Sequence, residues 1–205
     1  MNYQGFRETF HGFKIFSLTD IRKNFPAFDS RRLVEWQEKG YIKKVINRWY
    51  TFADIPVEEH LLYWTANRIY QPSYISLETA LSYYGLIPEA VYTTTSVSTL
   101  KTTSFDTHLG AFAYRHVKPA FFFGYRIIEW QGFPIKMAEP EKVILDYLYL
   151  NPNLNQDEDW KGLRLNLESI HEVVDVPKLQ EYLSIMKIKA LEKRVFHFLN
   201  FMELC

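Results

Sequence analysis

Between residues 17 and 52 the chain carries its own punctuation, and the order of the pieces leaves few folds open. Ser17 or Thr19 can cap a helix beginning near Leu18, with Asp20 in the first turn, where a carboxylate favours the helix dipole. Leu18, Ile21 and Phe25 recur at helical spacing, and Pro26 stops the segment. Asp29 or Ser30 opens a second helix running to Lys39, and Gly40 stands where a left-handed C-terminal cap is wanted. Two apolar-rich stretches follow, Tyr41 to Ile46 and Trp49 to Phe52, with Asn47 and Arg48 between them. Asparagine tolerates positive φ, which predicts a tight hairpin turned at Asn47. Helix, turn, helix, hairpin is the order of a winged helix.

The formal net charge of zero hides a split. Residues 1–52 hold ten Lys and Arg against five Asp and Glu, a balance of +5, and the remaining residues carry −5. A basic head on an acidic body points to polyanion binding by the head. At about 100° per residue, Leu33, Trp36 and Gly40 share one stripe of the second helix with Asp29. Arg31, Val34, Glu35 and Glu38 turn away from it, and Arg32 flanks it. Glu35 and Glu38 would repel phosphates, so this helix is expected to approach a duplex with its N-terminal end. Arg31 is then the first candidate for a base edge, with Ser30 as a neutral neighbour. The candidate DNA-binding set is Ser30, Arg31, Arg32, Glu35 and Lys39 on the helix, with Lys43, Lys44, Asn47 and Arg48 on the hairpin. The competing view is that these cations only solvate a small helical domain.

The expected boundary lies at 53/54, giving a winged helix over 1–53 and a second domain over 54–205. Pro56 suggests a helix running to about Tyr70, followed by an extended Ser73–Ile75 and a helix from Leu77 to Tyr84, capped by Ser76 and ended by Gly85. The β-branched run from Val91 and alternating segments near 104–106, 110–116, 124–130 and 133–137 read as strands. A helix from Glu139 to about Leu150 and two more between Pro177 and Leu204 complete it. The expected class is α+β, with antiparallel strands and C-terminal helices.

Reactive chemistry finds little support in this body. Glu139, Glu141, Lys142 and Asp146 could form a metal-binding, phosphodiester-cleaving cluster. A plainer account makes the two glutamates first-turn residues and Lys142–Asp146 a surface i,i+4 pair. His11, His60, His108, His116, His171 and His197 show no ligand spacing, and no phosphate-cradling glycine loop is present, so neither a metal nor another cofactor is expected. The sole cysteine, Cys205, excludes an internal disulfide. Phe121, Phe122 and Phe123 are expected in the core. The acidic stretch Asp157-Glu158-Asp159, with Glu168, Glu172 and Asp175, would complement a basic partner or simply solvate the surface. No apolar run approaches the roughly 18 residues of a membrane span, and residues 1–16 lack a signal-type apolar core, so no membrane partner and a cytoplasmic location are expected.

Three stretches resemble the AbiEi family of antitoxins, which are bacterial transcriptional regulators of abortive-infection operons. They are Arg31-Arg32-Leu33-Val34-Glu35-Trp36-Gln37-Glu38-Lys39-Gly40-Tyr41-Ile42 running on to Asn47-Arg48-Trp49-Tyr50; Ala66 to Tyr70 with Pro72 to Leu81 and Gly85 to Glu89; and Ala138 to Leu150. The resemblance implies a winged helix that binds double-stranded operator repeats and represses its own operon. It also implies a C-terminal domain that counters a nucleotidyltransferase-like toxin. On that footing the chain is expected to be a repressor and antitoxin without enzymatic activity. The rivals are a nucleic-acid-processing enzyme recruited by the winged helix and a regulator that senses a small ligand.

Overall fold

Aromatic rings set the arrangement of the first 55 residues. The computed structural model describes residues 2–204, so Met1 and Cys205 lie outside the described residues. The elements are α1 (Tyr3–Phe10), β1 (Ile15–Ser17), α2 (Leu18–Asn24), α3 (Arg31–Glu38), β2 (Ile42–Ile46) and β3 (Trp49–Phe52). The strands form an antiparallel sheet in the order β1-β3-β2. Phe6 and Phe10 of α1, Ile21 of α2, and Leu33 and Trp36 of α3 close over Phe16, Ile42 and Phe52 of the sheet. The Phe6 ring lies 4.7 Å from that of Trp36 and 4.9 Å from that of Phe10, within the spacing at which aromatic pairs attract.

The local signals read from sequence do their expected work here. Ser17 caps α2 in a capping box with Asp20: the Asp20 amide donates to Ser17 Oγ at 3.1 Å and the Ser17 amide donates to Asp20 Oδ2 at 2.8 Å. Gly40 takes φ 69° after α3, and the Tyr41 amide returns to the Trp36 carbonyl at 2.9 Å. The hairpin turn corrects one expectation: the left-handed residue is Arg48, φ 66°, rather than Asn47. The strand register shifts between Lys44 and Ile46, and the Arg48 carbonyl accepts from the Leu18 amide at 2.9 Å. The hairpin tip is therefore tied to the start of α2 instead of projecting beyond the sheet.

The body begins with α4 (Glu59–Ile69), three residues beyond the expected Pro56; Ala53 to Val57 is the crossing segment, and Ile55 still packs on the first core. It continues through β4 (Ser73–Ile75), α5 (Leu77–Tyr83), β5 (Thr93–Ser98), β6 (Thr103–Asp106), β7 (Ala111–His116), a 3-10 turn (Pro119–Phe121), β8 (Tyr125–Trp130) and β9 (Phe133–Ala138). Helices α6 (Pro140–Leu150), α7 (Asp157–Gly162), α8 (Leu167–Val173), α9 (Val176–Met186) and α10 (Lys189–Leu204) follow. The α+β class stands, but the strands are not all antiparallel. The sheet order is β6-β7-β5-β4-β9-β8, with β5/β7 and β4/β9 parallel. The β6–β7 and β8–β9 hairpins are local; each attaches to the sheet by its second strand, which sets the parallel pairings. Helix α4 covers one sheet face, where the Tyr114 hydroxyl reaches the Ala66 carbonyl at 2.9 Å, and α6 covers the other. Phe121 is buried, with Phe122 and Phe123 packed beside it. Part of the acidic stretch serves helix starts: the Asp159 carboxylate accepts from the Gln156 amide at 3.0 Å and the Asp175 carboxylate from the Lys178 amide at 3.2 Å. Among the described residues no helix is long and apolar enough to cross a membrane.

The first sheet packs apolar residues on both faces. Successive strand residues alternate, so Phe16 and Phe52 meet the helices while Ile15 and Val45 join the core of the body. The seam is completed by Arg68 of α4, stacked 5.3 Å from both the Trp49 and Trp64 ring centres and 3.5 Å from Asp20. His108 Nδ1 adds a contact of 3.1 Å to the Lys44 carbonyl. Trp36, 2% exposed, is the ring that joins α3 to α1. Its replacement by alanine is expected to cost about 3–5 kcal/mol in urea denaturation; a cost below 1 kcal/mol would contradict this packing.

Candidate nucleic-acid interface

Helix α3 presents the faces that its sequence periodicity implies. Leu33 and Trp36 are buried, Arg32 and Gln37 are half-buried, and Arg31, Val34, Glu35, Glu38 and Lys39 are exposed. Ser30 is exposed but does not cap the helix. Asp29 fills that role, accepting from the Arg31 amide at 3.0 Å. The same carboxylate holds the Arg31 guanidinium at 2.7 Å, which lowers the Asp29 pKa and raises that of Arg31. One turn later Lys39 pairs with Glu35 at 2.6 Å, lowering the Glu35 pKa and raising that of Lys39. Both pairs are solvent-exposed and each partner can exchange for another ion.

The hairpin adds exposed Lys43, Lys44, Asn47 and Arg48. Lys43 and Lys44 are consecutive in β2 and so point to opposite sides of the sheet. Lys44 is paired with Tyr50, and Lys43 with Thr51 on the side turned to the body, where its charge helps lower the His108 pKa behind the larger effect of burial. The two lysines therefore cannot serve one row of phosphates. Sequence reasoning passed over Arg22 and Lys23, exposed in the last turn of α2. Their position just before Pro26, on the helix preceding the candidate recognition helix, was the available signal.

No family model matches the chain, and no curated protein matches it.

The other cluster singled out from sequence lies in a different setting from the expected one. Lys142 and Asp146 are not a surface pair: both side chains are 0% exposed. Helix α6 carries Val143, Ile144, Leu145 and Leu148 around its circumference, and it is enclosed by α5, α9, α10 and the sheet. Lys142 Nζ is paired with Asp146 Oδ1 and donates to the Tyr74 hydroxyl at 2.9 Å. Tyr74 and Ser76 each donate to Asp146 Oδ2 at 2.9 Å. Burial and the Asp146 carboxylate push the Tyr74 phenol well above its ordinary pKa. Ser76 occupies the expected cap position of α5, yet its hydroxyl is spent on Asp146. Glu139 and Glu141 likewise do more than favour a dipole: Tyr182 donates to Glu139, and Glu141, itself buried, accepts from the Asp175 amide at 2.9 Å. Gly124 makes room for this arrangement at φ 68°, since a Cβ there would come within 2.9 Å of the Tyr182 ring. The described residues hold no group of three or more His, Cys, Asp or Glu suited to a metal ion.

The Lys142–Asp146 network thus knits α6 to β4, each charge satisfied by the other and by hydroxyls. Asp146→Ala leaves a buried ammonium without its counter-charge and is expected to cost about 3–5 kcal/mol, whereas Lys142→Met with Asp146→Leu costs far less. Urea denaturation of the two variants checks the order; equal losses would contradict it.

Proposed function

We propose that residues 1–53 form a winged helix that binds double-stranded operator DNA, and that the chain is a transcriptional repressor resembling AbiEi antitoxins. The observation that carries this reading is the orientation of α3. Because the other face of the first sheet is taken by the body, α3 and its Arg31-bearing side turn outward. The helix–strand–helix–helix–hairpin order and the +5 balance of residues 1–52 support the same conclusion.

Binding begins with phosphate contacts from Lys44, Arg48, Arg22 and Lys23, which release counterions and set the register of the protein on the duplex. Arg31 then exchanges Asp29 for a base edge, a guanine O6/N7 pair being its natural bidentate partner. Asp29 remains as the α3 cap, so this exchange leaves the helix start intact. Glu35 and Glu38 keep the distal part of α3 away from the backbone, which favours an N-terminal approach. The acidic body is free to meet a basic partner, in this proposal a nucleotidyltransferase-like toxin.

Electrophoretic shift titrations on the DNA upstream of its own gene, at several salt concentrations, test the surface. Arg31→Ala is expected to weaken binding by about 1–3 kcal/mol and relax discrimination at one base pair. Lys44→Ala is expected to weaken all sequences alike and reduce the salt slope by about one unit. Lys43→Ala, on the side turned to the body, is expected to change binding less than Lys44→Ala. Binding indifferent to Arg31 and Lys44 would overturn the assignment.

A further inference from the structure

The body holds a cavity of about 680 Å³ that the DNA-binding proposal does not use. Its volume falls within the range of small-molecule sites. Leu77 and Leu81 of α5, Ile87 and Leu163 give it apolar walls, and β5 and β7 form another side. The start of α5 is clamped beside it. Thr95 Oγ1 donates to the Ser76 carbonyl at 2.8 Å and accepts from the Thr79 amide at 3.0 Å, and Thr79 Oγ1 accepts from the Thr95 amide at 2.8 Å. Within this clamp Leu77, 2% exposed, takes φ 59°. A bulky residue in the left-handed region is strained, and such strain persists where the surroundings fix it, often beside a binding site.

Three polar side chains in the wall keep unpaired atoms within reach of solvent. The Glu78 carboxylate and the Tyr147 hydroxyl have no hydrogen-bond or ion-pair partner among the described residues. Arg115 of β7 spends Nη2 on the Leu150 carbonyl at 2.9 Å and keeps Nε and Nη1 free of protein acceptors. All three residues are half-buried, and none of these atoms is sealed inside the protein. Burial, with the Glu78 charge behind it, raises the Tyr147 pKa, which places that carboxylate near the phenol. Leu150, which holds Arg115, lies one turn beyond Tyr147 on α6. Glu78 and Arg115 do not pair with each other, and Glu89, the other charged lining residue, meets Arg164 at 3.4 Å. A lone carboxylate and a lone guanidinium in one apolar cavity complement a ligand that carries an ammonium, a carboxylate and an apolar group.

We propose that this cavity binds an α-amino acid with an apolar side chain, its ammonium on Glu78, its carboxylate on Arg115 and its side chain against Leu81 and Leu163. The Tyr147 hydroxyl supplies a further donor to the ligand carboxylate. The site stands whether or not α3 reads DNA.

The test is calorimetric titration and thermal melting of the full chain with L-phenylalanine and L-leucine, against 2-phenylethylamine, which lacks the carboxylate, and 3-phenylpropionate, which lacks the ammonium. A saturable one-to-one heat and a rising melting temperature are expected for at least one of the two amino acids, with each single-charge analogue at least tenfold weaker than L-phenylalanine if that is the amino acid bound. Glu78→Gln keeps the shape without the charge. It should weaken the bound amino acid at least tenfold and leave 3-phenylpropionate unchanged. Arg115→Gln should do the reverse, weakening the amino acid and leaving the amine unchanged. Should Arg115→Gln fail to fold, the analogue series and Glu78→Gln decide the matter by themselves. No saturable heat with either amino acid overturns the proposal, as does amino-acid binding that survives Glu78→Gln or is matched by an analogue with one charge.

Discussion

A small sheet packed on both faces governs how this protein is put together. Strands β1, β3 and β2 give Phe16, Ile42 and Phe52 to the helices and Ile15 and Val45 to the body. A sheet of three strands needs a packed apolar face to be stable, and this one has apolar residues packed on both sides. The consequence is directional. With the body on one face, α3 must lie on the other, and its polar side is left to solvent. The hairpin tip is held to the start of α2 by the Leu18–Arg48 hydrogen bond, so on the proposed reading phosphate contact would fall to side chains near the sheet and α2.

The body is organised around a second constraint, the charged network on α6. Lys142, Asp146, Tyr74 and Ser76 lie between helix and sheet with their polar atoms turned on one another. Burying charge is costly unless each atom is paired, and a network of this kind fixes one arrangement of its neighbours. Its residue types are those of many catalytic centres, yet with both charged side chains fully covered its present chemistry is cohesion. The two units then meet at Arg68, where a cation rests between two tryptophans and touches the cap of α2.

What could be read from the sequence follows from the range of the interactions concerned. The Ser17–Asp20 box, the Gly40 stop and the amphipathic α3 depend on residues three or four apart, and each was legible. Helix α1 was not, because Gly5 and a short span obscure its Phe6–Phe10 stripe. The turn residue was displaced from Asn47 to Arg48 by a register shift that no local preference announces. Strand direction in the large sheet depends on where two hairpins dock, which is a long-range matter. The burial of Lys142 had a signal in the sequence: Val143, Ile144, Leu145 and Leu148 leave α6 without a wide polar face, and such helices lie inside.

Lysine acetylation footprinting with and without duplex addresses the orientation of α3 and the hairpin most directly. The account predicts that duplex protects Lys44 and Lys23 while Lys101 and Lys187, exposed on the body, stay reactive. Protection of Lys101 and Lys187 with Lys44 still open to reagent would place the DNA on the wrong unit and contradict it.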